Sequence, residues 1–270
     1  MNRQPLVAGQ FYPAGPTLAR DVAALLATAP VGEKHVEPTL LAMVPHAGYV
    51  YSGAVAGRTL GLANLADTVI LLGPNHTGRG RRLAVWPEGA WELPGGELAV
   101  DAELAGALLA ADSRLSADET AHLGEHSLEV VLPFLWVKNP AARIVPIVVA
   151  EHNPTALGDV ALSMAAVVRA WGRPVSLVVS SDMSHYVSHD TAAALDAVAL
   201  AEITAMRPMG LYAAVRDQGI SMCGVLPMTL GLFLARELGA KTAEVTAYAT
   251  SGEVSGDMRH VVGYAGVLIS

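Results

Sequence analysis

Histidines stand where apolar runs end in this chain. His46 follows "LLAMV" and opens "PHAGYVYSG". His76 follows "TVILLG" inside "GPNHTG", with Asn75 just before it. Asp182 and His185 follow "VSLVVS" inside "SSDMSHY", and Glu151 and His152 follow "RIVPIVV". Neutral imidazole is the commonest metal ligand, so two histidines at neighbouring strand ends are suited to share an ion. Asp182 and His185, three apart in a loop, suit general acid/base work, the carboxylate orienting the imidazole. Ser181 or Ser184 is alternatively a helix cap.

Cys223 is the only cysteine. It precedes "GVLPMTLGLFLARELG", which reads as a buried helix. A thiol at a helix N-terminus is favoured as thiolate, and thiolate is both nucleophile and metal ligand. The plainer alternative is a buried cysteine that only packs. His126, in "GEHSLEV", falls at a helix start where Glu125 or Ser127 would cap. His35, His122, His152, His189 and His260 have less support. His35 and His260 read as surface or strand residues, and His189 neighbours the Asp182 loop. Three chemistries fit these residues: a mononuclear metal site with acid/base histidines beside it, a Cys223 nucleophile with His185 as base, or a pocket for binding alone. No HExxH or CxxC spacing decides among them.

The elements that must position these groups are legible. The four runs, at residues 40–44, 68–73, 143–149 and 175–180, are short, continuous and rich in β-branched residues, as strands buried on both faces are. Helical patterns alternate with them: "SGAVAGRTLGLA", "HSLEVVLPFLWV" (kinked or shortened by Pro133), "TALGDVALSMAAVVRAW" and "DTAAALDAVALAEITAM". "EVTAYAT" and "HVVGYAGVLIS" read as two closing strands, and residues 26–39 as a loop. The alternation predicts an α/β protein: one domain over 1–270, with a central mixed, largely parallel sheet covered by helices on both faces. Ligands bind outside the carboxyl ends of strands in such sheets, so parallel strands would gather the histidines at one edge.

Composition narrows the function. The chain has 270 residues, 52% of them hydrophobic, 16% charged, with a net charge of −8. An acidic chain without basic blocks is a poor partner for nucleic acid. The longest apolar segment carries a proline and two interior glycines and meets Arg236 after about 14 residues, short of the roughly 20 a membrane span needs. The N-terminus lacks the apolar core of a signal peptide, and one cysteine allows no internal disulfide, so a cytoplasmic location is expected.

"VAGQFYPAG", "PHAGYVYSG", "LLGPNHTG", "EHSLEVVLPFL", "IVPIVV", "SSDMSHY" and "CG" before a long helix occur in that order. Over residues 6 to 269 the chain resembles the Memo family, called AmmeMemoRadiSam system protein B in microbes. That family is similar to the class III extradiol dioxygenases, which hold non-haem Fe(II) on two histidines and a glutamate. The resemblance implies an α/β/α fold and places the metal histidines at His46 and His76, with Cys223 at the third ligand position. It places His126, Asp182 and His185 as the remaining pocket residues, with His185 as acid/base; on that reading Asp182 orients His185 and His126 contacts substrate or metal-bound oxygen. Thiolate in place of carboxylate softens the site and favours copper as well as iron (Fe2+). The implied function is a metal-dependent oxidoreductase with a dioxygenase-like pocket; the alternative is a non-catalytic ligand- or peptide-binding adaptor with a vestigial site. The microbial name also implies association with an AMMECR1-type protein and a radical SAM protein.

Overall fold

The computed structural model describes residues 2–29 and 37–270. His35, and residues 30–36 of the stretch read as a loop, lie outside the described residues. Eleven strands make one mixed sheet: β1 (Leu41–Val44), β2 (Thr68–Pro74), β3 (Leu83–Val85), β4 (Ala90–Leu93), β5 (Gly96–Val100), β6 (Ser116–Ala117), β7 (Arg143–Val149), β8 (Val175–Ser180), β9 (His185–Val187), β10 (Ala243–Thr250) and β11 (Val261–Ile269). The order along the main path is β10-β11-β1-β8-β2-β7-β3-β6. The middle of it, β1-β8-β2-β7, is parallel throughout, with Leu41 opposite Leu177, Ile70 opposite Leu177 and Ile70 opposite Val145. On one flank β11 runs antiparallel to both β1 and β10, and on the other β3 runs antiparallel to β7.

The four predicted apolar runs are these four parallel strands. Their continuity has a direct cause, because each face of the sheet has its own core. Met43, Ile70, Leu72, Val145, Ile147, Leu177 and Val179 point to one side. There they meet the helices Pro154–Ala170 and Val225–Glu237. Their sequence neighbours Ala42, Val44, Val69, Leu71, Ile144, Val148 and Val178 point to the other. There they meet Leu18–Leu26, Tyr49–Leu62 and Leu132–Lys138. Alternate residues therefore face opposite ways, yet both sets are apolar. The expected α/β architecture with helices on both faces is what forms.

Pro133 shortens its helix as expected. A 3-10 turn, Glu129–Val131, precedes it, and the proline occupies the first turn of Leu132–Lys138, where its missing N–H costs nothing. The short strands β3 to β6 and β9 were not legible, because two to five residues with charges among them carry no strong period. No helix among the described residues is long and apolar enough to cross a membrane.

Candidate metal centre

Because β1, β8, β2 and β7 are parallel neighbours, the segments after them emerge along one edge of the sheet. His46 leaves β1 and is 2% exposed. Its backbone N–H donates to Asp182 Oδ1 at 2.8 Å, tying the end of β1 to the end of β8. Its ring Nδ1 lies 2.7 Å from Ser180 Oγ. That hydroxyl spends its own proton on the Ser127 carbonyl at 2.7 Å, so toward the ring it accepts. Nδ1 therefore carries the hydrogen, and Nε2 keeps a free lone pair. Nε2 faces Cys223 Sγ at 3.4 Å.

His76 leaves β2 and is held in the same manner by a carboxylate. Glu125 accepts its backbone N–H at 2.5 Å and its ring Nδ1 at 2.9 Å. Nε2 is again the nitrogen left free, the arrangement in which a carboxylate orients a metal-ligating imidazole. Asn75 shapes the loop: its Oδ1 accepts the N–H groups of Thr77 and Gly78 and the Thr77 hydroxyl. Gly73 lets the end of β2 approach closely, since a Cβ there would collide with Leu128 and the Ser127 hydroxyl. Burial opposes charge on both partners, but their mutual hydrogen bond outweighs it. The His76 pKa is raised, and that of Glu125 is pulled down to about 2.

Cys223 reaches the site from the turn before Val225–Glu237. Gly224, the N-cap of that helix, sits against the Ser181 side chain and the Ser180 carbonyl where a Cβ would not fit, and its N–H donates to Ser181 Oγ at 3.1 Å. The thiol donates to the Asp182 carbonyl at 3.6 Å and receives the Asp182 N–H at 3.2 Å. Burial, with the Asp182 charge behind it, pushes the thiol pKa far up. Of the two readings of Cys223, the buried thiol is the one burial favours: desolvation outweighs the pull of the helix terminus toward thiolate. A low-pKa cysteine nucleophile loses its support for the same reason.

His46, His76 and Cys223 offer ligand atoms that all lie within 4.8 Å of one another. His76, Glu125 and His126 form a second group meeting the same criterion. The His126 ring stacks on His76 at 4.9 Å, stands edge-on to His46 at 5.4 Å, and is covered by Phe11 at 4.9 Å. Burial and the neighbouring imidazoles drive the His46 pKa well below its usual value. His126 is lowered chiefly by burial. The cluster is thus built to keep His46 neutral, the form that binds metal.

The expected Asp182–His185 couple is arranged differently. His185 Nδ1 meets the Ser221 carbonyl at 2.9 Å and its backbone N–H the Ser221 hydroxyl at 2.7 Å, so Ser221 orients the ring. The Asp182 carboxylate accepts the His46 N–H, and its pKa is raised by burial. Nor do Ser181 and Ser184 act as side-chain helix caps; Ser188 caps the following helix. Tyr186, beside His185, holds φ at +59° and is 78% exposed, an unusual backbone for an aromatic residue.

A cavity of about 510 Å³ opens beside Cys223. Its walls include Val149, Val215, Ile220 and Leu226, with Tyr212 and His152 among its polar groups. Other candidates lie elsewhere. Glu151 pairs with Arg82, His189 bonds Thr250, His260 is exposed as expected, and His122 is buried against Trp86 and Trp91. Sequence reasoning missed Ser180 and Phe11, and gave Glu125 only a capping role. Glu125 does accept the Ser127 N–H at 2.9 Å, but its main partner is 49 residues away.

An α/β sheet with two histidines and a cysteine converging at its carboxyl edge defines the class: a fold with a candidate metal centre. The chain belongs to the Memo-like protein family, whose model matches residues 3–268. It is 38% identical over 279 residues to a MEMO1 family protein of Methanopyrus kandleri, covering 99% of each chain. It is 39% identical to one of Desulfurococcus amylolyticus, covering 98% of this chain and 97% of that one. The crystal structure of an uncharacterized protein from Escherichia coli K12 shares the fold, with a TM-score of 0.56 at 13% identity over 84% of this chain and 98% of that one.

Proposed function

We propose that this protein holds one transition-metal ion, Fe(II) or copper, on His46 Nε2, His76 Nε2 and Cys223 Sγ, and serves as a metal-dependent oxidoreductase on a small organic molecule. The observation that carries the reading is the convergence of three donors, two of them imidazoles whose other nitrogen is already engaged. The donor set fits such an ion, since imidazole suits iron and copper alike and thiolate favours the softer states. When bound, the ion would supply a redox couple and Lewis acidity.

The chain's own groups supply the remainder. Ser180 and Glu125 fix the two rings. Cys223 would hold the ion as thiolate, its proton released to solvent; the Asp182 carbonyl lies 3.6 Å from the sulfur. The apolar walls beside Cys223 would exclude water and bury the body of a substrate. His185, with Nδ1 held by Ser221, presents Nε2 as a site for taking or giving a proton. His126, between Phe11 and His76, offers a flat contact to substrate. Association with AMMECR1-type and radical SAM proteins belongs to the proposal on family likeness alone.

Oxygen uptake tests the reading. Fe(II)- or Cu(I)-loaded protein should consume O₂ with a phenol, a thiol or ascorbate, and His185→Ala should lower the rate without lowering metal content. Metal-loaded protein that consumes none with any of these would move the assignment to a ligand- or peptide-binding adaptor.

A further inference from the structure

So far the "VAGQFYPAG" motif and the residues before it enter the centre only through Phe11, whose ring covers His126. They nevertheless run past it, and one buried cation connects them to it. Arg3 is 1% exposed. Its guanidinium donates from Nε to the His122 carbonyl at 3.0 Å, from Nη2 to the Glu125 carbonyl at 2.6 Å and from Nη1 to Glu129 Oε2 at 2.7 Å. It also lies over the Trp91 ring at 4.4 Å. Glu129, fully buried, completes the grip by accepting the N–H groups of Leu6 and Val7 and the Tyr12 hydroxyl, all within 2.9 Å.

These bonds pin residues 122, 125 and 129, the segment that carries Glu125 and His126. Glu125 in turn grips His76 at both backbone and ring. The motif's central residue is Phe11, whose ring covers His126 and whose carbonyl accepts the Tyr49 N–H three residues past His46. A buried ion pair of this kind is costly to desolvate and is poor evidence for stability as such. Its geometry is directed at the centre.

We infer that the Arg3–Glu129 pair is a positioning device for the metal centre, setting the backbone of Glu125 and so the aim of His76 Nε2, with the motif's Tyr12 and Phe11 extending the same brace. The inference rests on the proposed metal site. The planar fork of Arg3 is essential to it, because three acceptors in fixed directions are beyond what a lysine ammonium reaches as a set.

Co(II) titration, read by thiolate-to-metal absorption, tests this. The samples are wild type, Arg3→Lys, and Leu108→Ala as an equally buried control in the core of the opposite sheet face. Arg3→Lys should bind Co(II) roughly 10- to 100-fold more weakly, as when a residue supporting a ligand is altered. Leu108→Ala, destabilised but with the brace intact, should bind like wild type. Wild-type affinity in Arg3→Lys, or an equal loss in Leu108→Ala, would overturn the positioning role. If Arg3→Lys does not fold, Tyr12→Phe, which removes one hydroxyl from Glu129, should weaken binding measurably, and unchanged affinity there would overturn the role as well. His46→Ala separates the two claims. If wild type binds no Co(II), or His46→Ala binds as well as wild type, the metal assignment fails and the brace loses its object.

Discussion

Glu125 holds His76 twice, at the backbone N–H (2.5 Å) and at ring Nδ1 (2.9 Å). Glu125 is 2% exposed and the His76 side chain 35%, so a buried carboxylate holds a partly exposed ring, which has one nitrogen left to use. Glu125→Gln keeps the shape but replaces an acceptor with an amide that must present N–H toward a donor. Metal affinity should drop roughly 10- to 100-fold, measured by calorimetric titration. Full affinity would show that the carboxylate does not prepare the ligand.

The same pair makes stability depend on pH. The folded Glu125 pKa, about 2, lies below its ordinary value of 4.5. Its contribution is therefore fully present above pH 4.5 and is lost as pH falls through the folded value. The His76 pKa is raised, so the imidazolium's share is present below the ordinary histidine range and is lost as pH rises through the folded value. In the metal-free protein, the stability gap between wild type and Glu125→Gln should be widest near pH 5 and should close toward pH 2. Denaturant melts across that range would read it; a gap constant with pH would contradict the assignment.

Ser180 decides which nitrogen of His46 is free. With its proton committed to the Ser127 carbonyl, it accepts from Nδ1. Ser180→Ala removes that acceptor from a buried ring. Nitrogen-15 shifts of His46 should report the Nδ1–H tautomer in wild type and a mixed population in the variant, with weaker metal binding. One tautomer in both proteins would show that Ser180 is not the determinant.

Cys223 should be sluggish without metal. Its thiol pKa is pushed up by burial and by the Asp182 charge. Iodoacetamide should alkylate it slowly at neutral pH. Asp182→Asn should speed the reaction, since each unit by which the pKa drops multiplies the thiolate fraction about tenfold. Rapid alkylation of wild type would restore the nucleophile reading.

Legibility followed physics. Each long strand buried on both faces wrote itself as an unbroken apolar run, and Met43 beside Val44 shows why: the two point into different cores. His46 and His76 were visible because they directly follow such runs. Glu125 and Ser180 were opaque because their meaning is a partner 49 or 134 residues away. The ionisation of Cys223 stayed open because a helix terminus is visible in sequence, whereas the depth at which the sulfur sits is not. Ser221 displaced Asp182 as the orienter of His185 because the chain returns there from 36 residues on.

Metal content of protein purified without oxygen, wild type beside Cys223→Ser and His46→Ala, tests the central claim most directly. The account predicts close to one iron or copper per chain in wild type, and a large loss in both variants. A wild-type protein that arrives empty and refuses added Fe(II) and Cu(I), or variants that keep full occupancy, would contradict it.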